Sequence, residues 1–140
     1  MTVTRWETEP LAPVQARPDW FDHEDAGGRV RFLDAEGSIP DGRSDSPDLI
    51  ARADFDADRL LYLAGGGPDA GCHRLVVDDV TLDGEALSID AHVECESGMA
   101  AQVITYPAAV LWVPDTKATR VTASITDGWD RTHTDTASIG

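Results

Sequence analysis

Lysine is nearly missing from this sequence. Lys117 is the only one in 140 residues; the other ten basic side chains are arginine, set against 26 aspartates and glutamates, for a formal net charge of −15. Without a basic cluster nothing displaces counterions from phosphate, so nucleic acid is excluded as a partner. Long apolar runs are missing too. The longest is Ala108-Ala109-Val110-Leu111-Trp112-Val113, far short of the length of a transmembrane helix, and no membrane partner is expected. The opening Met1-Thr2-Val3-Thr4-Arg5-Trp6-Glu7 has no apolar core of the kind a secretory signal needs. As it stands the chain is expected in the cytoplasm; with a trimmed N-terminus it would be an exported protein.

The motifs of common catalytic sites are also missing. The glycines at 65–67 are not followed by the Gly-Lys-Ser/Thr of a phosphate-binding loop, and no Gly-x-Ser-x-Gly elbow occurs. The four histidines, His23, His73, His92 and His133, share no metal-ligand spacing such as i, i+4 on a helix. Asp54-x-Asp56-x-Asp58 resembles the start of a calcium loop, but Arg59 stands where the glycine turn belongs and Gly65 where the closing glutamate belongs. A solvated acidic turn is the reading preferred. Cys72 and His73 are adjacent in a β-like stretch, so their side chains face opposite ways and make no nucleophile–base pair. No catalytic residue, metal site or cofactor is assigned.

The residues that are abundant say more about solvent. Acid is spread along the whole chain and outnumbers base more than twofold. Such like charge destabilises a compact state by self-repulsion, and salt near 1 M removes most of that cost by cutting the screening length to about 3 Å. The acidic, lysine-poor composition resembles that of proteins from salt-loving archaea.

The clearest structural signal lies between Gly71 and Pro114. Leu87, Ile89, Ala91 and Val93 alternate with Ser88, Asp90, His92 and Glu94, the period of a half-buried strand. Asp83-Gly84 before it reads as a two-residue hairpin turn joining this strand to Cys72-His73-Arg74-Leu75-Val76-Val77. The run at 108–113 is apolar at every position, as a strand covered on both faces must be. Val121, Ala123 and Ile125 alternate again with Thr122, Ser124 and Thr126, and Asp127-Gly128 marks a turn after which Trp129 caps the end of the core. Residues 46–64 fit two descriptions. Ser46-Pro47-Asp48 is a good helix start, whereas Leu60-Leu61-Tyr62-Leu63 suits a buried strand. Five of the eight prolines fall in residues 1–48, so this part reads as an irregular arm with a short strand at 3–7 and a second short strand or a helical turn at 29–33.

Asp54-Phe55, Leu60-Leu61-Tyr62-Leu63, the glycine-rich gap, Gly71-Cys72, the hairpin with Asp83-Gly84 and Ile104-Thr105-Tyr106-Pro107 before an apolar strand together resemble the C-terminal domain of PrcB type, named after a subunit of a surface protease complex. The Thr126-Asp127-Gly128-Trp129 segment is similar to that closing some small haloarchaeal proteins. The resemblance spans residues 50–130. It implies a non-catalytic, protein-binding β domain, and favours strands over a helix at 49–64.

Two readings of the cysteines stay open. An Asp83-Gly84 turn without a bulge sets Cys72 opposite Cys95, within reach of a disulfide, but puts Leu75 against His92 and Val77 against Asp90. A bulge at Asp78-Asp79 restores the apolar face, pairing Val77 with Ile89 and Leu75 with Ala91, and moves Cys72 off Cys95.

The expectation is therefore one all-β domain: an antiparallel sandwich of immunoglobulin-like kind over 49–131, a packed N-terminal arm over 1–48, and a frayed tail over 132–140. The function expected is non-enzymatic binding of another protein, in a protease-associated or inhibitory form, with contacts through the aromatic pair Trp20 and Phe21 and the glycines Gly65, Gly66 and Gly67. The alternative is a small metal-dependent hydrolase using His23 with Asp22, Glu24 and Asp25.

Overall fold

The computed structural model describes residues 2–3, 5–11, 27–33, 48–52, 54, 57–68, 72–95, 104–114, 116 and 118–139. Its elements in chain order are β1 (Glu7–Pro10), β2 (Arg29–Leu33), α1 (Asp48–Arg52), β3 (Arg59–Ala64), β4 (Gly67–Pro68), β5 (Cys72–Asp83), β6 (Ala86–Cys95), β7 (Ile104–Thr105), β8 (Ala108–Val113), β9 (Arg120–Thr126) and β10 (Thr132–Ser138). Two four-stranded sheets, ordered β1-β8-β3-β2 and β10-β9-β6-β5, make the sandwich, and β4 pairs with β7 apart from them. The all-β expectation holds.

The core follows from the alternation. Leu87, Ile89, Ala91 and Val93 of β6 and Val121, Ala123 and Ile125 of β9 point inward, against Val30, Leu61, Leu63, Ala109, Leu111 and Val113 from the facing sheet. The uninterrupted apolar strands β3 and β8 serve two cores. Their other residues, Leu60, Tyr62, Ala64, Ala108 and Val110, pack outward under Leu11, Leu33 and Leu49, with Trp112 at the margin. A sheet so covered needs apolar side chains on both faces, which is why these strands do not alternate in sequence.

The structure corrects the expected hairpin. Its turn is Gly84–Glu85, flanked by the pair Asp83↔Ala86, with Gly84 at φ +62° in the first central position, where a type II′ turn wants glycine. The register therefore starts two positions away from the one an Asp83-Gly84 turn would give. A bulge between Val77 and Asp79 takes back one position, and a second irregularity between Cys72 and Arg74 takes back another. The bulge is where the apolar pattern demanded it. Val77 and Val80, three apart, both face the core, which requires one extra residue between them. The pairs it produces are Val77↔Ala91 and Leu75↔Val93, and the backbone of Cys72 lies opposite that of Cys95.

Three further differences concern the ends of the chain and the pairing sense. Strand β9 runs parallel to β6, so the sandwich is not wholly antiparallel. The connection between the two passes through β8 in the other sheet, long enough for β9 to re-enter in the same direction. The tail expected to fray is β10, paired along its whole length with β9 from Thr132↔Thr126 to Ser138↔Arg120. In the N-terminal arm the strand or helical turn expected at 29–33 is strand β2, whereas the strand expected at 3–7 lies at Glu7–Pro10 as β1; both are edge strands of one sheet. At 46–64 each description holds for part of the segment: a helix, α1, covers Asp48–Arg52, and Arg59–Ala64 is strand; Ser46 and Pro47 lie outside the described residues.

Edges β2 and β10 meet at a polar seam. Asp135, on the inward side of β10, accepts from the Val30 backbone N–H at 3.0 Å and from Arg31 Nη1 at 2.9 Å. An inward-facing charge on an edge strand also discourages pairing with a further strand. Among the described residues, no helix is long and apolar enough to cross a membrane.

Candidate functional site

One end of the sandwich gathers the C-terminus of β3, the N-terminus of β8 and the β9–β10 connection. Residues 127–131 make that connection, and the buried carboxylate of Asp127 organises it. Its side chain is fully shielded from solvent. Oδ1 accepts from the backbone N–H groups of Trp129 at 2.8 Å and Arg131 at 3.0 Å, and Oδ2 lies 2.7 Å from His133 Nε2. Nε2 is thus the ring nitrogen that faces the carboxylate. The Asp127 N–H donates to Arg131 O at 2.8 Å and the Asp130 N–H to Asp127 O at 3.2 Å. Asp130 takes the left-handed conformation at φ 63°, which aspartate tolerates better than most residues.

This loop is tied to the glycine run. The Gly128 N–H donates to Gly66 O at 2.8 Å, and the Gly65 N–H to Pro107 O at 3.0 Å. Gly65 and Gly66 are buried. A Cβ on Gly65 would stand 2.9 Å from Val93 Cγ2 and 3.3 Å from Ile125 Cγ2. These two glycines thus support the neighbouring loop from beneath; Gly67 follows in β4, paired with Thr105.

Above them Trp129 is 40% exposed. Expected to cap the end of the core, it leaves a large part of its surface to solvent, on the loop that the Asp127 carboxylate holds. The result is a large aromatic side chain on a short loop whose backbone is pinned by its own hydrogen bonds.

The other residues singled out in the sequence fall elsewhere. Trp20, Phe21 and His23 lie outside the described residues, so neither the aromatic pair nor the histidine–carboxylate loop is placed. His92 sits on the outer face of its sheet, with Nδ1 2.7 Å from Oδ2 of the bulge residue Asp78. In the acidic turn, Asp58 is buried rather than solvated. It accepts from Trp112 Nε1 at 3.0 Å and from the Asp54 N–H at 3.2 Å, so it orients an indole. Among the described residues no group of three or more His, Cys, Asp or Glu side chains is placed to hold a metal ion.

Asp127 was read only as half of an Asp-Gly turn. A signal was present: aspartate two residues before the residue whose N–H it caps is the pattern of an Asx turn. That the carboxylate would also be buried against His133 depends on the β9–β10 pairing, which no local pattern announces. No family model, no curated protein and no solved structure matches this chain.

Proposed function

We propose that this protein is a non-catalytic binding domain that engages another protein through Trp129. The observation that carries this reading is the exposure of Trp129 on a loop fixed by the shielded Asp127 carboxylate. Tryptophan brings a large contact area with few rotatable bonds, and a loop that is already ordered loses little entropy on binding. Asp127 itself is occupied with the loop and with His133, so the pair is an anchor for Trp129, not a general base.

The resemblance to the PrcB-type domain gives the more specific form: an accessory or inhibitory module of a protease. The acidic, lysine-poor composition supports a salt-rich setting for that encounter. The test is capture of partners from the source organism's extract at molar salt by the intact chain and by its Trp129→Ala variant. A partner retained by the first and lost by the second supports the proposal; equal retention by both contradicts it.

A further inference from the structure

At the far end of the sandwich, on the outer face of the β1-β8-β3-β2 sheet, Arg5, Glu7, Leu49, Arg52 and Trp112 line an open cleft of about 240 Å³. Its wall is built, not accidental. Trp112 is opposite Glu7 in the β1–β8 ladder, and its indole is fixed by the Nε1–H bond to buried Asp58. Arg5 lies over that indole, 5.4 Å from the ring centroid. Arg52 pairs with Glu7 at 2.8 Å, which occupies the cleft's one carboxylate among the described residues. Leu49, 4% exposed, closes the floor.

Arg5 is the unusual member. In a chain with 26 acidic residues its guanidinium has a π face beneath it and no carboxylate partner among the described residues. Stacking on the indole leaves the N–H donors at the guanidinium edge without a carboxylate among the described residues, in the planar fork that matches one. Beside that edge are an apolar floor, Leu49, and an aromatic wall, Trp112, while the Arg52–Glu7 pair makes the remainder of the lining polar; a ligand suited to it has one charged and one apolar end.

We infer that this cleft binds a small monocarboxylate with a flat apolar body, its carboxylate on Arg5 and its body against Leu49 and Trp112. The site is separate from Trp129 and does not rest on the protein-binding reading. Arg52, already paired, contributes positive potential at the rim without being the principal contact.

The probe is benzoate, followed by the indole N–H signal of Trp112 and the side-chain N–H signals of arginine in ¹⁵N-labelled full-length protein, with benzamide and acetate as controls. Benzamide keeps the flat body without the charge, and acetate the charge without the body. Benzoate should bind at least about tenfold more tightly than either, and Arg5→Gln should remove about tenfold of its affinity while leaving that for benzamide unchanged. Arg52→Gln should cost only about two- to threefold. Arg5 is exposed, so its replacement leaves the fold intact, as an unchanged amide spectrum will verify. Equal affinity for benzoate and benzamide, full benzoate affinity in Arg5→Gln, or no Trp112 shift up to about 20 mM benzoate would each overturn the inference.

Discussion

Asp127 Oδ2 lies 2.7 Å from His133 Nε2, across the loop that carries Trp129. With Oδ1 holding two backbone N–H groups, one shielded carboxylate bonds to three parts of the 127–133 segment. Asp127→Ala should therefore cost about 2–4 kcal/mol in denaturant unfolding, since it strands several donors at once. Asp127→Asn, which keeps one acceptor oxygen, should cost less. Hydrogen exchange at the Trp129 and Arg131 amides should quicken in both variants while the amides of β6 keep their protection.

Gly65 separates a supporting role from a contact role. Gly65→Ala places a methyl 2.9 Å from Val93 Cγ2, and an overpacked position of this kind costs about 1–3 kcal/mol. Val93→Ala is destabilising by itself, yet it makes room for that methyl. The double variant should accordingly be less destabilised than the two single losses added together, a coupling that a double-mutant cycle in denaturant reads directly. Strict additivity would show that the two side chains do not meet.

What the sequence disclosed divides along physical lines. Strands with one face in the core were legible, because burial imposes alternation; β6 and β9 are the cases, with Leu87, Ile89, Val121 and Ile125 all inward. The doubly covered β8 was legible from its unbroken apolar run. Strand β10 was not, since its inward positions are His133, Asp135 and Ala137 and its outward ones are hydroxyls and a serine terminus; a polar edge strand has no hydrophobic period to detect. The same limit hid β1, Glu-Thr-Glu-Pro. The bulge at Asp78 was legible as one of two readings, because an unbulged ladder would set Leu75 and Val77 against His92 and Asp90. The two-position shift of the turn was not, because Asp-Gly and Gly-Glu are both acceptable hairpin corners. The Asp127 network that holds the Trp129 loop was not legible either, since pattern does not encode a buried polar network.

The outer face of the β10-β9-β6-β5 sheet carries a direct charge conflict. Asp79 and Asp90, both exposed, are opposed in the β5–β6 ladder, and like charges so placed repel. Raising salt from 0.1 to 1 M shortens the screening length from about 10 Å to about 3 Å, so the unfolding midpoint should rise with potassium chloride. Asp90→Asn should raise the midpoint at low salt and flatten its salt dependence. A midpoint indifferent to salt in the unaltered chain would remove the salt-adapted reading.

Cys72 and Cys95 are opposed in backbone register. Directly opposed residues on antiparallel strands stand about 4.5–5.5 Å apart at Cα, inside the range a disulfide spans. Protein purified without reductant should gain about 2 Da in intact mass on reduction, since cleaving one bridge adds two hydrogens. An unchanged mass would mean two thiols.

The most direct measurement for the proposed role is a hydrogen-exchange footprint of the intact chain, free and bound to a captured partner. Protection should gather at 126–131 and 65–68, the Trp129 loop and the glycines beneath it, and the outer face of β5 and β6 should exchange as in the free chain. Protection confined to that outer face, with the Trp129 loop unaffected, would contradict the assignment of the contact to Trp129.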